Sequence, residues 1–317
     1  MSYWLSVVMP VHMGAGYLGA TLESAAAQAE ARRGQGIEFR LYNSGDDHDA
    51  ARGVAEAFAD RLDIVWQDTP DIKPWTAKSN LGVQEARAPH VTMLHQDDLW
   101  LPGHAAALRA GLSHAADATL SIAPSRFIGP LGQDLGAWQL PFAPGLHDGR
   151  KVAQRLLVQN SIAILAPVIA RDAWLACGGI DEALWYTGDW DLWLKLTRGG
   201  AVYVRPKATT GFRVHGESLT MTGSRDAKAF QEQHDIVLAR HMPALTPLPA
   251  GLERRARVGA AINCALAEAA NGDAGALGRA TAALLALGPI GALRFLRESR
   301  LVDRVAPRLR LKFAGRF

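Results

Sequence analysis

His95, Asp97 and Asp98 sit in the run HQDDLWL, residues 95–101, with Pro102 and Gly103 directly behind it. The apolar run 91–94 ahead of them reads as a buried strand. Acidic side chains at the carboxyl end of a parallel strand lie where open α/β sheets hold their ligands. Their hard oxygens suit Mg²⁺ or Mn²⁺ carrying a diphosphate. The same residues also fit a strand-to-helix turn in which Asp97 or Asp98 caps the helix that Pro102 opens.

A second pattern, Gly14, Gly16 and Gly19, spells GxGxxG after a strand and at the start of a helix. Dinucleotide binding needs the first glycine at the turn itself and an acid for the ribose at the end of the second strand. Here Pro10 and three more residues precede Gly14, and the second strand ends in Tyr42 and Asn43. The glycines therefore read as permitting a tight turn. Lys78, a candidate phosphate contact, reads as a solvated lysine on a helix face.

Positioning these residues falls to alternating strands and helices. Strands are expected at 5–11, 37–42, 63–66 and 91–94, with helices at 50–60 and 76–86 between them. The helix after the first strand carries Leu18, Leu22 and Ala25 on one face. This βαβ rhythm implies a mostly parallel sheet flanked by helices. A Gly- and Pro-rich stretch at 129–149 reads as a substrate-facing loop, followed by a helix at 189–198 and strands at 201–204 and 211–214. Three prolines within 243–249 mark a linker, so the expected division is 1–242, a linker at 243–250, and a helical appendage with a basic tail at 251–317.

Composition narrows the class. A chain of 317 residues with 49% hydrophobic and 21% charged content is long enough for one large core. Cys177 and Cys264 are far apart and lack metal-ligand or disulfide spacing, which points to a reduced, cytoplasmic compartment. The charge-free apolar segment between Arg279 and Arg294 falls short of the roughly 20 residues a spanning helix needs and is broken by Gly288 and Pro289. The net charge of +3 is uneven, because residues 290–317 hold eight Lys or Arg against Glu298 and Asp303. The remaining body is slightly acidic, which argues against a nucleic-acid partner.

Taken in order, the segments SVVMPVHMGAGYLGATLESAAAQ, LYNSGDDHDAA, KSNLGVQEA, HQDDLWLP, GGIDEALWYTGDWDLWLKL and FRVHGESLT resemble glycosyltransferase family 2. These are inverting enzymes of the GT-A fold, with a Rossmann-like sheet, and the resemblance covers roughly residues 5–220. It implies transfer of a sugar from a nucleotide-diphosphate donor, a UDP-sugar first among them, to an acceptor hydroxyl on a saccharide or lipid-linked acceptor. Cell-surface polysaccharide or glycolipid synthesis is the implied setting.

The resemblance also implies roles. Asp97 matches the second acid of the family's D-x-D metal motif and His95 stands where the first acid usually does, with Asp98 binding through water and Mn²⁺ or Mg²⁺ as the ion. Asp189 matches the general base, its preceding acid being Gly188 here, and Asp191 is the competing candidate. Both also fit simple stabilisation of a helix N-terminus. Trp190 and Trp193 are spaced either to stack on a sugar or to fill the core. Pro10, Val11 and His12 should line the base pocket with Gln96, Asn43 should replace the missing base-reading carboxylate, and Asn80 should lie near the ribose. His215 should approach the diphosphate or metal, with Arg213 a lesser candidate.

The departures at His95, Gly188 and Tyr42 keep a non-catalytic nucleotide-sugar binding or assembly protein open. A sugar nucleotidyltransferase would need a basic residue in the first glycine loop, and none precedes Arg32. Arg294, Arg297, Arg300, Arg304 and Arg308 recur at steps of three or four. On one helix they form a basic stripe suited to an anionic membrane face, or a solvated face packed on the body.

Overall fold

The computed structural model describes residues 2–114, 118–216 and 226–313. Strands β1 (Leu5–Val11), β2 (Ile37–Asn43), β3 (Asp63–Asp68) and β4 (His90–Met93) run parallel in the order β3-β2-β1-β4. Helices α1 (Ala15–Ala26), α2 (His48–Glu56) and α3 (Trp75–Glu85) connect them. All seven residues of β1 are buried, as expected for a strand covered on both faces. Val7, Met9 and Val11 pack with α1 on one side, while Val8 faces the α3 side, following the period of two. Burying Glu38 and Arg40 in β2 is tolerable because Glu38 accepts from Ser6 Oγ and Arg87, and Arg40 is bonded to Glu85.

The later strands are β5 (Leu99–Trp100), β6 (Ala118–Ile122), β7 (Ser125–Ile128), β8 (Asp134–Trp138), β9 (Gly145–His147), β10 (Val168–Ala170), β11 (Ala201–Val204) and β12 (Thr210–Arg213). β10, β6, β11 and β9 extend the main sheet to eight strands, mostly parallel, and β5-β12-β7-β8 form a separate four-stranded sheet. The stretch 129–149 is therefore not one long loop. It holds β8, paired antiparallel with β7, and β9, paired with β11. β1 is flanked by both β2 and β4, so the strand order reverses there. That switch point opens a crevice beyond the strand ends, where open α/β sheets place their sites.

The remaining helices are α4 (His104–His114), α5 (Gly149–Leu156), α6 (Arg171–Ala176), α7 (Gly188–Arg198), α8 (Ala227–His241), α9 (Leu252–Ala270), α10 (Ala276–Ala286), α11 (Gly288–Ser299) and α12 (Leu301–Phe313). The stretch 243–250 is packed rather than free: Leu245 is buried, and Arg150 and Gln154 of α5 donate to carbonyls of Ala244 through Pro247. Leu252, Ala256, Ala260, Ile262 and Phe295 belong to the same apolar cluster as Val152, Leu156 and Leu192. The basic stripe does not lie on one helix. Arg300 adopts a left-handed conformation, φ 51°, separating α11 from α12, and it pairs with Asp303. The side chain of Arg308 lies outside the described residues. No single helix among the described residues is long and apolar enough to cross a membrane.

Candidate active site

Past β4 the chain turns sharply at residues 95–98, and β12 of the second sheet runs alongside. Asp98 Oδ1 accepts the backbone N–H of Arg213 at 2.8 Å, fixing the two segments together. Asp97 Oδ2 meets His215 Nε2 at 2.9 Å. The His215 ring rests on Tyr17, centroids 4.9 Å apart, and the Arg213 guanidinium lies over the same tyrosine. Arg213 donates to the carbonyls of Asp97, Gly129 and Pro130, so it holds backbone in place rather than reaching for a phosphate. Residues 217–220 at the end of the FRVHGESLT segment lie outside the described residues.

Burial opposes charge on Asp97, yet the hydrogen bond from His215 and the nearby His95 hold its carboxyl below the usual range. Burial, and after it the charge of Asp97, pushes the pKa of Asp98 well up. Burial also lowers His95, whose Nε2 has no hydrogen-bond partner among the described residues and whose ring sits edge-on to Trp75 at 5.5 Å. No three His, Cys, Asp or Glu side chains among the described residues are grouped to hold a metal ion. Asp97 and His215 nevertheless fit one. Cis ligands of an octahedral ion at about 2.1 Å lie about 3 Å apart, and such ions usually take one or two protein ligands plus substrate phosphates and water. His95 Nε2 and Asp98 Oδ2, both buried without hydrogen-bond partners among the described residues, are orphaned polar atoms in the same wall.

The β1 end is tied to this turn by Gln96. Its Oε1 accepts from His12 N at 2.7 Å and its Nε2 donates to His12 O at 2.8 Å. Gly14 leaves room for this amide, since a Cβ there would fall 2.5 Å from Gln96 Oε1 and push it aside. Pro10, His12, His95, Gln96 and Asp97 line a cavity of about 700 Å³. Three expected contacts are placed otherwise. Val11 is buried and offers only its carbonyl, to Lys78 Nζ and Ser44 N. Asn43 turns inward, its Oδ1 accepting from Gly45 N. Asn80 bonds the Ile180 backbone and Glu182, clamping α3 to the segment before α7.

Lys78 is not solvated. It is 1% exposed, and its Nζ donates to Val11 O at 2.7 Å and Ser44 Oγ at 2.8 Å in the cavity floor. Burial, with Lys73 nearby, lowers its pKa to about 8. A lone lysine at an apparently polar helix position carried no sign that this face points into the crevice.

Across the cavity, Asp189 opens α7. Its Oδ2 accepts from Asn160 Nδ2 at 2.9 Å and its Oδ1 from Trp190 N at 2.7 Å. Burial raises its pKa to about 6 against these two bonds. Asp191 faces the other way. Burial alone would raise it, but His241, Lys195 and Arg240 hold it far below the carboxylate range, and it is enclosed by protein. It is therefore not a catalytic candidate. Gly188 is close-packed, since a Cβ there would fall 2.8 Å from Ile180 Cγ2. Trp193 is core; Trp190 is nearly buried, lines the cavity and donates to Leu156 O. Trp138, Trp185, Tyr186 and Phe212 add an aromatic wall, and Asn160, Asn263 and Arg304 complete it. These residues were missed because they come from elements far apart in sequence and match no motif.

Residues 6–142 match the family model described as Glycosyl transferase family 2. An uncharacterized glycosyltransferase of Rickettsia typhi is 23% identical over 236 residues, 72% of this chain and 69% of its own length. One from Rickettsia prowazekii is 20% identical over 235 residues, with the same coverage. Among solved structures, S. aureus TarS in complex with UDP-GlcNAc has a TM-score of 0.59 at 14% identity, covering 93% of this chain and 89% of that one. A mannosyltransferase from Pyrobaculum calidifontis in complex with GDP-Man and Mn²⁺ has a TM-score of 0.57 at 18% identity, covering 98% and 87%. The fold is that of the GT-A glycosyltransferases.

Proposed function

We propose, from the match of residues 6–142 to the glycosyl transferase family 2 model, that this chain transfers a sugar from a nucleoside-diphosphate donor to a saccharide or lipid-linked hydroxyl with inversion at the anomeric carbon. The observation that carries this reading is Asp189, a carboxylate of raised pKa facing the same cavity as the Asp97–His215 pair. The donor diphosphate lies against Asp97 and His215, with its nucleoside toward Pro10, His12 and Lys78. These two residues would hold a Mn²⁺ or Mg²⁺ ion, which supplies Lewis-acid stabilisation of the departing diphosphate when bound.

Asp189 takes the proton of the acceptor hydroxyl as its oxygen bonds the anomeric carbon. The bond from that carbon to the diphosphate oxygen breaks, and its electron pair leaves with the nucleoside diphosphate. Asn160 fixes the carboxylate's orientation so that its lone pairs face the acceptor. Asp97 and Asp98, the other carboxylates of the lining, are on the donor side, which supports a single displacement and hence inversion. The aromatic wall suits a sugar face. UDP-sugars come first as donors and GDP-mannose second, because the structurally similar proteins hold those nucleotides.

The test is turnover of a screened donor by Asp189→Asn, alongside donor affinity by calorimetry. The expected result is kcat lower by about 10²–10⁴-fold with donor affinity within a few-fold. In the wild type, kcat/KM should rise with pH through about 6, as the base ionises. Turnover by the Asn variant within a few-fold of wild type overturns the assignment of the base. A wild type that binds donors yet forms no product with any acceptor supports the binding-protein alternative.

A further inference from the structure

The face of α10 and α11 turned away from the body exposes large apolar side chains that no other described residue covers. Gly288, at φ +68°, and Pro289 at the first helical position force a break between the two helices, which bend by 113° across it. On α10, Ala280, Ala283, Leu284 and Leu287 pack toward the main core, which leaves Leu277, Thr281 and Leu285 as an outer stripe at steps of four. Leu285 is 69% exposed. On α11, Phe295 is buried while Ile290, Leu293, Arg294 and Arg297, at i, i+3, i+4 and i+7, share the outer face. Ile290 is 70% exposed. Single exposed leucines are ordinary, but four large exposed aliphatics on two consecutive helices exceed that scatter.

We infer that this bent pair is a docking surface for an anionic lipid leaflet. Leu277, Leu285, Ile290 and Leu293 would enter the boundary between headgroups and acyl chains, with Arg294 and Arg297 at the phosphates. Together the helices have the length and composition of a bent span, but Ala280, Leu284, Leu287 and Phe295 pack them onto the body, which suits contact with a surface. Charge complementarity selects this occupant over a second copy of the chain. Neither Arg294 nor Arg297 makes an ion pair among the described residues. The exposed acids of this region, Glu253 and Asp273, are paired with Arg257 and Arg279. In a twofold dimer the patch would meet a copy of itself, which carries no acid to face either arginine. A leaflet offers phosphates to both. The inference does not depend on the catalytic reading.

Co-sedimentation of the full chain tests it, using phosphatidylcholine vesicles with and without phosphatidylglycerol, at low and high salt. Wild type should pellet with the anionic vesicles and be released by salt. Arg294→Ala with Arg297→Ala should weaken partition by about 30-fold, roughly fivefold per arginine. Ile290→Glu with Leu293→Glu should abolish it, and both variants should melt with wild type because the altered side chains are exposed. Absence of wild-type pelleting, or equal pelleting of wild type and both variants, overturns the proposal. So does a wild-type dimer in solution, dissolved by the Glu substitutions, that ignores vesicles.

Discussion

Asp189 and Asp191 stand two residues apart on one helix and have opposite electrostatic fates. Two positions along a helix is more than half a turn, so only one can face the cavity. Which one does so was not legible, because the partners that claim Asp191 come from α8, about fifty residues later. Asp191→Ala should cost about 3–5 kcal/mol by chemical denaturation, since it strands Lys195 without its counter-charge and buried His241 Nε2 without its partner. Asp189 works in the other direction. Its folded-state pKa is raised, so the folded protein holds that proton more tightly than the unfolded chain. Stability from this group is therefore present at low pH and is lost as pH climbs through about 6. Asp189→Asn should melt above wild type at pH 8 and match it near pH 4; equal melting at both would mean that the carboxylate is not desolvated. The site was half legible: Asp97, His215 and Asp189 follow from motif order, whereas Lys78, Asn160 and the aromatic wall depend on long-range packing.

At the scale of elements, β1 was readable because burial on both faces makes it a continuous apolar run. β8 and β9 were not, being short and interrupted by Gly136 at φ +136°. The break between α11 and α12 was hidden as well. Pro307 sits inside α12, and the break falls at Arg300, a residue type that gives no warning of a left-handed turn. Gly188, at the start of α7, shows how a local departure is locked in by its neighbours. Asn80 holds the Ile180 segment against the helix so closely that a side chain has no room. Gly188→Asp should therefore cost about 1–3 kcal/mol and lower kcat, as α7 shifts Asp189. A variant as stable and active as wild type would show that the segment yields freely.

For the molecule as a whole, the expected boundary near residue 250 is crossed by the core. Phe295 lies against the cluster that contains Leu156 and Trp190, and Gly259 is packed so tightly that a Cβ would meet the Val158 carbonyl at 2.2 Å. Phe295→Ala should lower the stability of the entire chain by about 3–5 kcal/mol in one cooperative transition, followed by calorimetry. Two transitions, with only the smaller one shifted, would restore an independent appendage.

Arg304 on α12, nearly the last helix residue to touch the site, is also part of its wall. Translation runs from the amino end, so the strands that carry Asp97 and the helix that carries Asp189 leave the ribosome well before Arg304 does. A nascent chain can thus assemble its donor-side residues while one wall of the crevice is still inside the exit tunnel. The finished shape of the cavity is a property that the protein acquires only after α12 has emerged and docked.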